Sequence, residues 1–182
     1  THNRVAFSIG CGQEWINFVK KIIKLDSFGL GTKNAECQFI VCLDVAHGHM
    51  EQSIDTVGQL AEIDKIVIIA GNVATREGSV DLANAGADII KVGVGSGSVC
   101  STRIVTGHGV PQLSAVMAAR KALNEEGFNN VGIIADGGIR NSGDIVKALA
   151  AGADAVMLGN MLSGCTETPG DFITITDNGK HK

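Results

Sequence analysis

Apolar and β-branched residues gather in six short runs along the chain, at 5–9, 39–43, 66–70, 88–92, 131–135 and 155–158. None alternates cleanly with polar positions, so each reads as a strand covered on both faces, as parallel strands are. Longer stretches at 15–23, 51–62, 76–85, 111–125 and 143–150 have an amphipathic, helix-like pattern. Pro111 suits a first helical turn, and Gly86 and Gly152 suit the position just past a helix end. Strand and helix alternate throughout, which predicts a parallel sheet or barrel.

An internal echo narrows the choice. "GNVATREGSVDLANAGADIIKVG" and "GGIRNSGDIVKALAAGADAVMLG" share their glycine spacing: Gly71, Gly86 and Gly93 are separated as are Gly137, Gly152 and Gly159. Each unit runs loop, helix, Gly stop, Ala-Asp, strand, Gly. Repeated units of this kind favour a (β/α)8 barrel over an open doubly wound sheet. Six strands can be read where such a barrel has eight, and the chain opens on Thr1 rather than Met. The expectation is therefore one catalytic barrel domain over 1–182, an incomplete barrel of about six βα units. Its N-terminal strands and a C-terminal flap region would lie outside the chain. The tail "FITITDNGKHK" alternates around Asn178-Gly179, which predicts a hairpin.

Composition removes several classes. Of 182 residues 45% are hydrophobic, enough for a core, and the net charge is −4. The 15 Lys and Arg are scattered, which argues against a nucleic-acid partner. No apolar run approaches the roughly 18 residues of a membrane span. Five cysteines, Cys11, Cys37, Cys42, Cys100 and Cys165, form no CxxC pair, against a disulfide framework or structural zinc. A reducing cytoplasm fits best. His47 and His49 have no third ligand candidate nearby and read as loop histidines. Four of the cysteines read as small core or loop residues, and Glu167 carries no specific signal.

Candidate chemistry lies in three groups. The first is "KVGVGSGSVCSTRIVTGHGVPQ", residues 91–112, where a strand gives way to a loop with glycines at 93, 95, 97, 107 and 109. Such a loop lets backbone amides and carbonyls converge on an ion or phosphate. It carries Ser98, Cys100, Ser101 and Thr102. A thiol at the C-terminal mouth of a barrel strand stands where a nucleophile is expected, although an inert cysteine in a tight turn fits residue type and position as well. The second is Asp136-Gly137-Gly138 at a strand end, an acid beside paired glycines. That suits a ribose diol with amides free for phosphate, against a helix-capping Asp in a tight turn. The third is Asp44, Asn72 and Lys91, all near strand C-termini and so facing one mouth. Lys91 is open between a basic group at a reacting centre, a solvated rim charge and a salt-bridge partner. Asp44 closes an apolar strand, where an unpaired buried carboxylate is costly.

"GSGSVCSTR" followed by "GVPQ" resembles the active-site loop of the IMP dehydrogenase / GMP reductase family, G-x-G-S-[IV]-C-x-T-R. The resemblance extends through "DVAHGH", "AGNVAT", "GADIIKVGVG" and "ADGGIRNSGDIVKALAAGADAVMLG", in the family's order, over nearly the whole chain from residue 5 onward. It implies that Cys100 attacks C2 of the purine ring and that Thr102 helps activate water or the leaving group. Ser98, Gly138, Gly159 and Asn160 would hold the 5′-phosphate and Asp136, beside Gly137, the ribose hydroxyls. Many relatives have Ser or Gly where Asn160 stands. Asp44, Asn72, Lys91 and Gly93 would lie on the side of the NAD or NADPH cofactor. The carbonyls of Gly95, Gly97 and Cys100 match positions that hold potassium, a site that normally needs a neighbouring subunit. A homotetramer acting on GMP or IMP is implied.

Within the family, "VAFSIG", "DVAHGH", "GSVC" and "PQLSAV" look more like GMP reductases, and the reading leans that way. "RIVTGHGVPQ", "DGGIRNSGDIVKALAAGADAVMLG" and "ETPGD" look more like IMP dehydrogenases. Flavin-dependent 2-hydroxy-acid oxidases share the "DGGIR…KALA" phosphate turn but lack the Cys loop and need a catalytic His not evident here. A non-catalytic nucleotide-binding fragment is the non-enzyme alternative.

Overall fold

A computed structural model describes residues 5–26, 39–64, 66–170, 176–177 and 180–181. Six strands, β1 (Val5–Ile9), β2 (Phe39–Asp44), β3 (Ile66–Val73), β4 (Ile89–Val92), β5 (Gly132–Asp136) and β6 (Ala155–Met157), form one parallel sheet in the order of the sequence. An order without reversal is that of a barrel wall, since a doubly wound sheet reverses at its switch point. The architecture is a half-barrel, part of a (β/α)8 fold. The intervening helices are α1 (Gln13–Asp26), α2 (Glu51–Ala61), α3 (Arg76–Asn84), α4 (Thr102–Thr106), α5 (Gln112–Glu125) and α6 (Ser142–Ala150).

The strands are not equally covered on their two faces. Val41, Leu43, Ile68, Ala70, Ile90, Val92, Ile133 and Ala135 are fully buried in the core they share with the helices. The residues alternating with them, such as Ile40, Cys42, Ile69, Ile89 and Ile134, are only half-buried. These point to the concave face, which a closed barrel would fill with side chains. The expectation of strands buried on both faces is corrected to one buried and one half-open face.

The echo in the sequence has a structural cause at the helix ends. Gly86 and Gly152 have φ of +106° and +109°, the left-handed turn that ends α3 and α6. The aspartate two residues later then reaches back to the preceding strand. Asp88 accepts from the Ile68 amide at 2.8 Å and Asp154 from the Ile133 amide at 2.7 Å. The other ends of the units diverge: Gly93 has φ +149°, whereas Gly159 has φ −124°.

Other differences are local. Helix α4 was not expected, because five residues rich in β-branched types carry no periodic stripe. Strand β3 continues through Gly71-Asn72-Val73, which reads as a turn in sequence but pairs with β4 through a register shift. Pro111 is the N-cap of α5 rather than part of its first turn. Thr176–Asp177 and Lys180–His181 pair antiparallel, as the tail pattern predicts; the Asn178-Gly179 turn and Cys37 lie outside the described residues.

Candidate active site

The C-terminal ends of β2, β3, β4 and β5 bring together side chains far apart in sequence. Lys91 is 3% exposed, and its Nζ lies 2.6 Å from Asp44 Oδ1 and 3.1 Å from Asp136 Oδ2. The amide of Asn72 donates to the same Asp136 oxygen and to the Gly93 carbonyl, both at 2.8 Å. Burial disfavours the Lys91 ammonium, but the hydrogen bonds and charges of the two aspartates outweigh it and raise its pKa. Lys91 is thus no solvated rim charge. Asp44 is half-exposed and paired, not a buried lone carboxylate, because it stands at the open mouth. Asn72 Oδ1 is buried and has no hydrogen-bond partner among the described residues.

The loop after β4 folds tightly against β5. Ser96 Oγ donates to the Asp136 carbonyl at 2.7 Å, and a Cβ on Gly93 would lie 2.2 Å from that oxygen. The Arg103 guanidinium bonds the carbonyls of Val94 and Val110, closing the two flanks of the loop, while its alkyl stem occupies the space over Gly95 and Gly109. Ser96 and Arg103 were not singled out from the sequence. Their only signal was a place inside the glycine-rich motif.

Cys100 precedes α4, with its Sγ 3.2 Å from Thr102 Oγ1. Hydrogen bonds from the Thr102 side chain and from the Thr102 and Gly95 amides, helped by the Arg103 charge, hold its pKa below the ordinary thiol value. Cys42, on the concave face of β2, is shifted the other way by burial. The Gly97 carbonyl accepts from the Cys100 amide at 3.1 Å, which closes the turn carrying the thiol.

Beside this loop is a cavity of about 490 Å³, within the range of small-molecule sites. Ser98, Asp136, Gly137, Gly138, Gly159 and Asn160 all line it. Gly137 and Gly138 have φ of +84° and +77°, and a Cβ on Gly137 would lie 2.9 Å from the Gly97 amide. Arg140 and Ser163, also on the wall, were not anticipated. The wall includes Val99 but not Cys100, its neighbour in sequence, nor Thr102, and Asp44, Asn72, Lys91 and Gly93 also lie outside it. Asp136 belongs to both groups.

His49 Nε2 lies 2.8 Å from Asp81 Oδ2, tying the loop after β2 to α3. Cys165 is exposed, and the Thr166 hydroxyl bonds Glu167. Among the described residues no helix is long and apolar enough to cross a membrane.

A family model described as the IMP dehydrogenase / GMP reductase domain matches residues 30–182. The chain is 49% identical over 171 residues to an inosine-5′-monophosphate dehydrogenase of Aquifex aeolicus, covering 93% of this chain and 32% of that protein. It is 54% identical over 134 residues to a GMP reductase of Leishmania donovani, covering 72% and 27%. A crystal structure of a GMP reductase variant from Trypanosoma brucei in complex with guanosine 5′-monophosphate superposes with a TM-score of 0.77 at 40% identity, covering 96% and 34%. The chain spans about a third of the length of these relatives.

Proposed function

The chain belongs to the IMP dehydrogenase / GMP reductase family, and we propose that its site is the centre of an NAD(P)-dependent oxidoreductase acting at C2 of purine nucleoside 5′-monophosphates. The observation that carries this reading is the meeting of six residues on one cavity whose wall includes Val99, the neighbour of Cys100 in sequence. In the reading, Ser98, Gly138, Gly159 and Asn160 hold the 5′-phosphate, with Arg140 adding positive charge, and Asp136 beside Gly137 takes the ribose hydroxyls. The substrate comes from the relatives' names and from the nucleotide in the trypanosomal complex.

Cys100 then adds to C2, its lowered pKa favouring the thiolate. In the GMP direction the carbon–sulfur bond forms as the 2-amino group leaves, protonated, as ammonia. Hydride arriving at C2 breaks that bond, its electrons return to sulfur, and IMP is released. In the IMP direction hydride leaves C2 of the thiolate adduct, and water then hydrolyses the same intermediate to XMP. The nicotinamide, when bound, supplies or accepts that hydride. In the same reading Thr102, whose Oγ1 is 3.2 Å from the thiol, serves the amine or the water. The unpartnered Asn72 Oδ1 fits an amide donor such as a carboxamide, which supports the cofactor on the side of Asp44, Asn72, Lys91 and Gly93. Potassium would sit on the carbonyls of Gly95, Gly97 and Cys100, within a homotetramer.

Of the two directions we favour GMP reduction, on "VAFSIG", "DVAHGH", "GSVC" and "PQLSAV". IMP oxidation is the second reading, favoured by the dehydrogenase that matches 93% of the chain. Reduced-nicotinamide absorbance decides in the full-length protein, with Cys100→Ala as control. A fall with GMP and NADPH is expected. A rise with IMP and NAD reverses the direction, and silence in both mixtures from folded protein removes the enzymatic reading.

A further inference from the structure

Two groups of residues meet at Asp136: the nucleotide cavity and the charged cluster at the ends of β2, β3 and β4. The link is asymmetric. Among the described residues, both donors that reach its side chain, Lys91 Nζ at 3.1 Å and Asn72 Nδ2 at 2.8 Å, fall on Oδ2. Two bonds on one oxygen fix the rotation of a carboxylate and leave the other oxygen for a ligand. Lys91 itself has no freedom to approach a ligand. It is 3% exposed, its Nζ is also tied to Asp44 at 2.6 Å, and its backbone packs so closely on Gly71 that a Cβ there would lie 2.5 Å from the Lys91 carbonyl oxygen.

We propose that Lys91 is a positioning residue that sets the ribose specificity of the site, by locking Asp136 through one oxygen so that the other accepts a sugar hydroxyl. The proposal rests on the nucleotide reading above and departs from it in one respect: Lys91 acts through Asp136 rather than on the cofactor. The chemistry follows from the cluster's charge. Lys91 is the ammonium between two carboxylates, one 22% exposed on the cavity and one 51% exposed at the mouth. Without it the two acids lose their shared counter-charge, and Asp136 keeps a single neutral donor, Asn72. The carboxylate then turns, and its directional bond to the diol weakens. The phosphate contacts, which do not run through the Asp136 side chain, are untouched.

The test is equilibrium binding to the full-length protein, by calorimetry, of GMP and IMP and of their 2′,3′-dideoxy counterparts. Wild type is expected to prefer the ribonucleotides. Lys91→Met should weaken them on the order of tenfold, the scale of a lost charge-assisted hydrogen bond, and leave the dideoxy nucleotides within about twofold. Lys91→Arg should recover most of the preference, and adding Lys91→Met to Asp136→Asn should cost nothing further. Where Met is not tolerated, Lys91→Gln carries the same comparison. Equal weakening of both nucleotide classes, or unchanged binding, overturns the proposal and makes Lys91 merely structural. Wild type that binds all four equally removes the diol contact and the proposal, while wild type that binds none removes the nucleotide reading as well.

Discussion

Asp88 and Asp154 stand just before β4 and β6, at the N-terminal end of the sheet; Asp44 and Asp136 close β2 and β5 at the other. Each of the first pair spends one carboxylate oxygen, Oδ2, on the fold. Each accepts from a strand amide, of Ile68 or Ile133, and donates its own amide back to the same residue's carbonyl. Arg120 adds a second partner to Asp154 at 2.5 Å and bonds the Gly152 and Val131 carbonyls besides. The second pair faces one buried ammonium and keeps acceptor capacity open toward a cavity and a mouth. A carboxylate tied to a strand amide at the N-terminal end of the sheet is a brace; one held by a buried ammonium beside a cavity is a site. Residue type and closeness to a strand end are alike in both pairs; the end of the sheet and the partners differ.

Exchanging the two roles is the strongest way to break this comparison. Asp136→Asn should lower kcat/KM by about a hundredfold while the melting temperature moves by only a few degrees. Asp154→Ala should do the opposite, because it strips a partner from the buried Ile133 amide: about 1–2 kcal/mol less stability by urea titration, with nucleotide affinity within twofold. An Asp154 variant that keeps its stability and loses nucleotide would invert the assignment.

The cysteines sharpen the contrast by pH. A lowered pKa favours the anion, so Cys100 should remain alkylable by iodoacetamide as pH falls toward neutrality. The raised pKa of Cys42 requires a higher pH for the same rate. Thr102→Ala should move the Cys100 midpoint upward, since that side chain is the main cause of the shift, and mass spectrometry after timed alkylation reads both sites. Cys42 reacting first at neutral pH would contradict this order.

The smallest effects come from glycines. Gly86→Ala places a Cβ at φ +106° and 2.6 Å from the Ala61 methyl, and should cost about 1–2 kcal/mol in thermal unfolding. Gly58→Ala in α2 meets open space within a helix and should stabilise by about 0.5–1 kcal/mol. Opposite signs would show that backbone conformation, not loss of glycine as such, governs the helix stop before β4.

Much of this was legible in advance, and the reason differs by feature. The strand–helix order and the helix stops at Gly86 and Gly152 follow from periodicity and local sterics, which act over a few residues. The glycine loop and the Asp-Gly-Gly turn likewise announced backbone close to a ligand, and Ser98, Asp136 and Asn160 do meet on one cavity. Helix α4 escaped because five residues hold no period, and the end of β3 because Gly71-Asn72 has the composition of a turn.

By itself, then, the sequence determined the family, the alternation of elements and the set of chemically capable residues. The tertiary structure decided what each one is free to do. It buried Lys91 between partners 47 and 45 residues away, committed Asp88 and Asp154 to amides of earlier strands, and left one oxygen of Asp136 open. Those outcomes depend on strand register and on the curvature of the sheet. Neither is encoded in any short window of the chain, because hydrogen-bond partners are set by what folding brings within 3 Å.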